Sequence, residues 1–156
     1  MCADHARTLA TQVPGAELRT ICDTDSARAK ALAAELDVEQ VSADPLATIA
    51  DKAIDAVIVA APDAMHKELI FASLAAGKPV LCEKPRAPTS HDCTEIIAAE
   101  SKCGKQLIQI GYNRRFDPAY GEMRDTRKNA GLGEAIMFHG FHRNVSARPG
   151  LIPTWR

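Results

Sequence analysis

No C-x-x-C pair occurs, and the five cysteines (Cys2, Cys22, Cys82, Cys93 and Cys103) are odd in number. That excludes a paired disulfide framework and a zinc site built on cysteine pairs. It reads instead as reduced, mostly buried thiols of a cytoplasmic protein. No apolar run approaches the ~18 residues of a membrane-spanning helix. Asp4, His5 and Arg7 interrupt the start of the chain, which is not the pattern of a secretory leader. The net charge is only −1, against a dedicated polyanion binder. Aromatic residues make up 4% of the chain, and few beyond Tyr112, Phe116 and Tyr120 interleave with basic groups, so no nucleic-acid partner is expected. There is no internal repeat, and no G-x-G-x-x-G among the nine glycines.

What is present is ordinary globular material. Of 156 residues, 46% are hydrophobic and 25% charged, enough apolar content to build a core. The charge is uneven. Residues 1–110 carry 11 basic and 16 acidic groups, whereas residues 111–156 carry 8 basic and 4 acidic. The basic end is either a phosphate-facing surface or a solvated one.

Short apolar runs alternate with helical patterns. Helix 3–12 opens the chain. A strand over 16–22 ends at Asp23, and Ser26 caps a helix through Leu36 with Ala29, Leu32, Ala33 and Leu36 on one face. A short strand covers 38–41, and Asp44 with Pro45 reads as an N-cap followed by proline at the first helical position. The unbroken apolar run 56–61 is the signature of a strand covered on both faces. Asp63 caps a helix to about Ala76, stopped by Gly77. A buried strand follows at 79–82. Thr89 and Asp92 form a capping-box pattern for a helix to about Cys103. Strand 107–111, a helix from Asp117-Pro118 to near Gly131, and a strand beginning within 134–142 complete the reading. Such alternation specifies an α/β fold, a doubly wound parallel sheet with helices on both faces.

Ligands of such sheets bind beyond the carboxyl ends of the strands. Asp23 stands at one such end, 21 residues after Cys2. An acid about 20 residues past a phosphate-binding turn accepts hydrogen bonds from the adenosine ribose and repels a 2′-phosphate; a plain turn-capping role is the alternative. Lys84 follows a buried strand between Glu83 and Pro85. There it can donate to a developing alkoxide or relay a proton, or be an ordinary loop lysine. His66 lies in the first turn after Asp63, either facing a cofactor or capping the helix. Arg114 and Arg115 pair with phosphate or polar substrate, or with local acids. His139 and His142 would point to opposite faces of a strand. His91 and Cys93 lack a wider ligand set, so no metal is expected.

Several strings together resemble the glucose–fructose oxidoreductase / inositol dehydrogenase / MocA (Gfo/Idh/MocA) family. They are ADHAR at 3–7, the run 56–62 with His66, AAGKPVLCEKP at 75–85, GYNRRFDPAY at 111–120, and HRN at 142–144. The E-K-P element after A-G-K-P is specific to the family, and G-Y-N-R-R-F-D-P is similar to the form in inositol 2-dehydrogenases. The resemblance implies a Rossmann domain followed by an α+β domain, and oxidation of a sugar or polyol hydroxyl by a nicotinamide cofactor. It places Met1-Cys2 at the end of the glycine loop, with Cys2 at its last glycine. Asp23 becomes the ribose acid, favouring NAD over NADP. Pro62, His66 and Glu83 become cofactor-side residues, and Lys84 the lysine shared between nicotinamide and substrate. Pro85 follows a cis peptide bond, and Arg114 contacts substrate or cofactor. Asn113 stands where inositol enzymes carry methionine, on the substrate side, and Arg86 where leucine is usual.

The resemblance covers about the first half of a family member. It divides the chain into a dinucleotide-binding domain at 1–115, lacking its first strand and glycine loop, and a linker helix with the start of the substrate domain at 116–156. The family's D-x-x-x-H pair is absent from these residues. The expectation is therefore an incomplete NAD-dependent dehydrogenase with little turnover of its own; the alternative is a non-catalytic dinucleotide-binding remnant or partner subunit. In the order 3-2-1-4-5-6 the first strand is central. Without it the strand edges before Asp23 and before Ala61 are unpaired, inviting homo-oligomerisation or other self-association.

Overall fold

Local chemistry starts and stops most elements where the sequence places them. In the computed structural model, which describes residues 2–129, 133, 134, 136, 137 and 139–141, the first helix is α1 (Cys2–Gln12). Strand β1 (Thr20–Cys22) leads into α2 (Ser26–Leu36). Its N-cap is Asp25 rather than Ser26, because the Asp25 carboxylate accepts from the backbone N–H groups of Ala27 and Arg28 at 3.0 and 3.1 Å. Strand β2 (Gln40–Ser42) follows. Asp44 caps α3 (Pro45–Ala50), with Pro45 at its start. Strand β3 (Val57–Val59) precedes α4 (Asp63–Ala75). Here Asp63 is the first helical residue, and the cap position is Pro62, which makes no side-chain capping bond. Strand β4 (Val80–Cys82), α5 (Ser90–Lys102) capped by Thr89, and β5 (Ile108–Ile110) complete the alternation. Gly77 and Gly104, at φ +69° and +66°, end α4 and α5 in the left-handed conformation that glycine adopts without strain. A 3-10 turn (Asn113–Phe116) and α6 (Pro118–Asn129) follow.

The chain divides into two units, Met1–Asn113 and Arg114–Arg156. Of the strand expected within 134–142, residues 135, 138 and 142 lie outside the described residues, and none of the others is in a strand.

The five strands among the described residues lie in the first unit, and every pairing between them is parallel. β1 pairs β2, and β3 pairs β4, which pairs β5. With β2 and β1 as strands 3 and 2, and β3, β4 and β5 as strands 4, 5 and 6, this is the doubly wound order. The free edges of β1 and β3 bond to no strand among the described residues. Between them opens a cleft of about 1100 Å³.

Register decides which side chains reach the core. Val57, Val80 and Ile108 align, as do Val59, Cys82 and Ile110. Both rows pack with Leu69, Ile70 and Leu74 of α4 and Ile96 of α5. The middle row, Ile58, Leu81 and Gln109, points the other way and lines the cleft. The expectation that run 56–61 is covered on both faces is met in part: Val59 on the packed face is buried, Val57 on the same face is half-buried, and so is Ile58 on the other. A smaller cluster joins Ile21 to Ala29 and Ala33, with Leu32 and Leu36 against it, the helix face foreseen from spacing. Ile49 of α3 joins the larger core and so ties the β1-β2 half to α4.

Of the cysteines with described side chains, Cys82 is buried, Cys22 and Cys93 are half-buried and Cys103 is exposed, all unpaired. They are less buried than expected, because Cys103 occupies the helix end before Gly104. Burial pushes the Cys82 thiol up to about 11. Among the described residues no helix is long and apolar enough to cross a membrane, and no cluster of His, Cys, Asp and Glu could hold a metal.

Ile70 is fully buried at the centre of the larger core. Ile70→Ala is expected to cost about 2–5 kcal/mol, read as a lower urea midpoint at unchanged slope.

Candidate functional site

The hydrogen-bond ladders run one residue past the strands. Asp23 N–H donates to Ser42 O at 3.1 Å, Glu83 N–H to Val59 O at 2.8 Å, and Gly111 N–H to Cys82 O at 2.8 Å. Each of these residues is therefore fixed by the sheet before any ligand arrives.

Beyond β4, Glu83, Lys84 and Pro85 form a turn held from three sides. The Lys84–Pro85 bond is cis, as the resemblance implies. His5 Nε2 lies 2.8 Å from Glu83 Oε1, joining the first turn of α1 to the end of β4. The Lys84 backbone N–H donates to the other Glu83 oxygen at 3.2 Å. Burial pushes the Glu83 carboxyl up, but these bonds and the neighbouring positive charges outweigh it and hold the group below its usual range. A Cβ on Gly111 would meet the Glu83 carboxylate at 3.2 Å, so the absence of a side chain there is what admits the carboxylate. The Lys84 side chain itself is exposed.

His66 is 1% exposed. Its Nδ1 faces Pro85 O at 2.6 Å and its Nε2 faces Ala61 O at 2.9 Å. A neutral imidazole carries one N–H and donates to one of these carbonyls at a time; the imidazolium donates to both. In either state the ring spans the ends of β3 and β4 and holds the Pro85 turn. Pro62, one residue past Ala61, is exposed at the start of α4.

Asp23 is occupied by a partner that sequence reasoning did not name. Arg28 Nε and a terminal nitrogen grip its two carboxylate oxygens at 2.7 Å each, and the Asp25 N–H donates to Oδ1 at 2.9 Å. The Arg28 hydrogen bonds are the largest cause holding the Asp23 carboxyl below its usual range. A carboxylate offers about four acceptor positions. Three are taken, which leaves room for a further hydroxyl donor at Oδ2. The side chain of Arg28 is 67% exposed, so solvent can receive it when a ligand displaces it.

Asn113 is exposed, its N–H donating to Gly111 O at 3.0 Å. In the second unit Arg114 pairs with Asp117 Oδ2 at 2.8 Å and lies over the Tyr120 ring at 5.4 Å. Cys2 is the first residue of α1, and its side chain lies outside the described residues. The structure thus links His5, His66, Glu83, Lys84 and Pro85 directly, and sets Asp23 at the equivalent end of the neighbouring sheet.

A family model described as an oxidoreductase family with an NAD-binding Rossmann fold matches residues 1–112. The chain belongs to the Gfo/Idh/MocA family. Inositol 2-dehydrogenase 2 of Saccharopolyspora erythraea is 46% identical over 97% of this chain and 44% of its own length. Inositol 2-dehydrogenase 1 of the same organism is 47% identical over 94% and 44%. Among solved structures, scyllo-inositol dehydrogenase from Lactobacillus casei with bound NAD(H) and scyllo-inositol superposes with a TM-score of 0.79 at 28% identity. That match covers 83% of this chain and 38% of that one. The chain spans less than half the length of these relatives.

Within this Gfo/Idh/MocA chain, His5, Arg28 and Gly111 are the residues that sequence reasoning left without a role. Arg28 carries a local signal, five residues after Asp23 in the first turn of the following helix. His5 and Glu83 lie 78 residues apart, and no spacing rule connects them.

Two outcomes follow from this geometry. His66→Ala strands the Pro85 and Ala61 carbonyls over a cavity and should cost about 2–4 kcal/mol in urea denaturation. Glu83 has a lowered folded value, so its contribution is complete above the ordinary 4.5 and is lost as pH falls through the lower folded value. Glu83→Gln should accordingly show a smaller drop in urea midpoint between roughly pH 5 and pH 3 than the unaltered chain; equal drops refute the assignment.

Proposed function

We propose that this chain is the nicotinamide-nucleotide-binding part of an NAD-dependent dehydrogenase acting on a sugar or polyol hydroxyl, inositol-like in kind. The observation that carries this reading is Lys84 at the carboxyl end of a parallel strand, its backbone fixed by the Glu83 carboxylate. The site residues fit the cofactor: Asp23 retains acceptor capacity at a strand end, and the turn beside it is exposed. Bound nicotinamide would supply the hydride acceptor or donor. The chain's own share is binding and proton management. Lys84, exposed beyond the strand end, can donate an N–H to a substrate hydroxyl oxygen. Glu83, braced by His5, sets the position of that lysine. Asn113 and Arg114 belong to the substrate side of this reading, and residues 1–115 and 116–156 to its nucleotide and substrate domains. Exposed Phe116, Tyr120 and Met123 support association between copies.

Asp23 governs which nucleotide enters. Its charge repels a 2′-phosphate, and its grip on Arg28 keeps that guanidinium from serving one. NADH titration followed by nucleotide fluorescence tests this. The unaltered chain should prefer NADH to NADPH. Asp23→Ser should weaken NADH about tenfold, the worth of one lost charge-assisted bond, and strengthen NADPH by removing the charge that repels its 2′-phosphate. Indifference of the chain to both nucleotides, or an unchanged preference in Asp23→Ser, overturns the reading.

A further inference from the structure

We propose that Arg28 is a specificity-determining residue: its guanidinium holds the face of Asp23 that the vicinal hydroxyls of a ribose would take, and so competes with NAD(H) for the carboxylate. The inference rests on the reading of Asp23 as the ribose acid. Arg28 Nε lies 2.7 Å from Asp23 Oδ2, and a terminal nitrogen lies 2.7 Å from Oδ1. This is the fork in which a planar guanidinium meets both oxygens of a carboxylate at once. The Asp25 N–H takes a further position on Oδ1 at 2.9 Å. One acceptor position remains, on Oδ2. A single hydroxyl fits there with Arg28 in place. Two vicinal hydroxyls are a paired donor, like the guanidinium, and both can reach the carboxylate only from the side that the guanidinium holds.

Of the two partners, Arg28 is the one that can move. Asp23 is half-buried, and its backbone N–H is bonded to Ser42 O at 3.1 Å. Arg28 stands in the first turn of α2 with an exposed side chain. A solvent-facing ion pair is weak even when its geometry is good, so a fraction of molecules holds Asp23 open. When only a fraction of a protein is competent to bind, its apparent affinity falls by that fraction. On this basis Arg28 lowers the affinity for NADH about three- to fivefold. NADPH carries its phosphate on the adenosine 2′-oxygen and has no free diol there, so this competition does not act on it. The positive charge of Arg28 also offsets that of Asp23 toward a phosphate. Both effects run in one direction: Arg28 narrows the preference for NADH that the Asp23 carboxylate creates.

The test is titration of the full chain, Arg28→Ala and Arg28→Lys with NADH and with NADPH, read by nucleotide fluorescence. Arg28→Ala should bind NADH about three- to fivefold more tightly and NADPH no more tightly. Arg28→Lys keeps the charge but cannot form the fork, and its affinity for NADH should fall between those of the unaltered chain and Arg28→Ala. A residue that only supports the fold would, when removed, weaken both nucleotides together. Equal or weaker NADH binding by Arg28→Ala, or an equal gain for NADPH, overturns the proposal and leaves the reading of Asp23 standing. Binding of neither nucleotide by any of the three chains overturns both.

Discussion

The parallel ladder that continues one residue beyond each strand is the constraint on which the site depends. Glu83 hangs from Val59, Gly111 from Cys82 and Asp23 from Ser42 through backbone bonds alone. Backbone bonds of this kind are insensitive to side-chain identity, so the turns can vary while their anchoring stays the same. Side chains then refine the geometry. His66 fastens the turn at Pro85, His5 fastens Glu83, and Gly111 makes room for the carboxylate. Lys84 is exposed while the backbone behind it is fixed.

Burial and register explain why that edge is rigid. The side chains that align across β3, β4 and β5 alternate between a packed face against α4 and α5 and a face lining the cleft. Only the first has its full complement of neighbours. The free energy that holds the Lys84 turn therefore comes from one side of the sheet, where Ile70 and Ile96 are fully buried.

The alternation of strands and helices was legible because each strand is a short apolar run and most helices carry their own stop or start residues. Asp44-Pro45, Thr89, Gly77 and Gly104 act locally, so sequence adjacency suffices to read them. Strand lengths were overread. The run 56–61 marks burial, but the ladder covers only Val57–Val59, because a strand extends only as far as its partner does. The positions of Asp23 and Lys84 at strand ends were legible through a rule of topology. Arg28 and His5 were not given roles, since their partners are chosen by the fold; the ring that grips Glu83 belongs to a helix 78 residues earlier. His66 was read as facing a cofactor or capping its helix, and its ring instead meets two backbone carbonyls. Periodicity cannot separate an inward histidine that binds from one that braces.

Helix α1 has a part in both halves of the first unit. Arg7 grips Glu35 of α2 with two bonds, at 2.6 and 2.9 Å, while His5 holds Glu83 beyond β4. The Arg7 pair is half-exposed and screened by solvent, so it orients α1 more than it stabilises it. The His5 contact is better shielded and bears on the turn that carries Lys84. Ala6 and Leu9 of the same helix line the cleft.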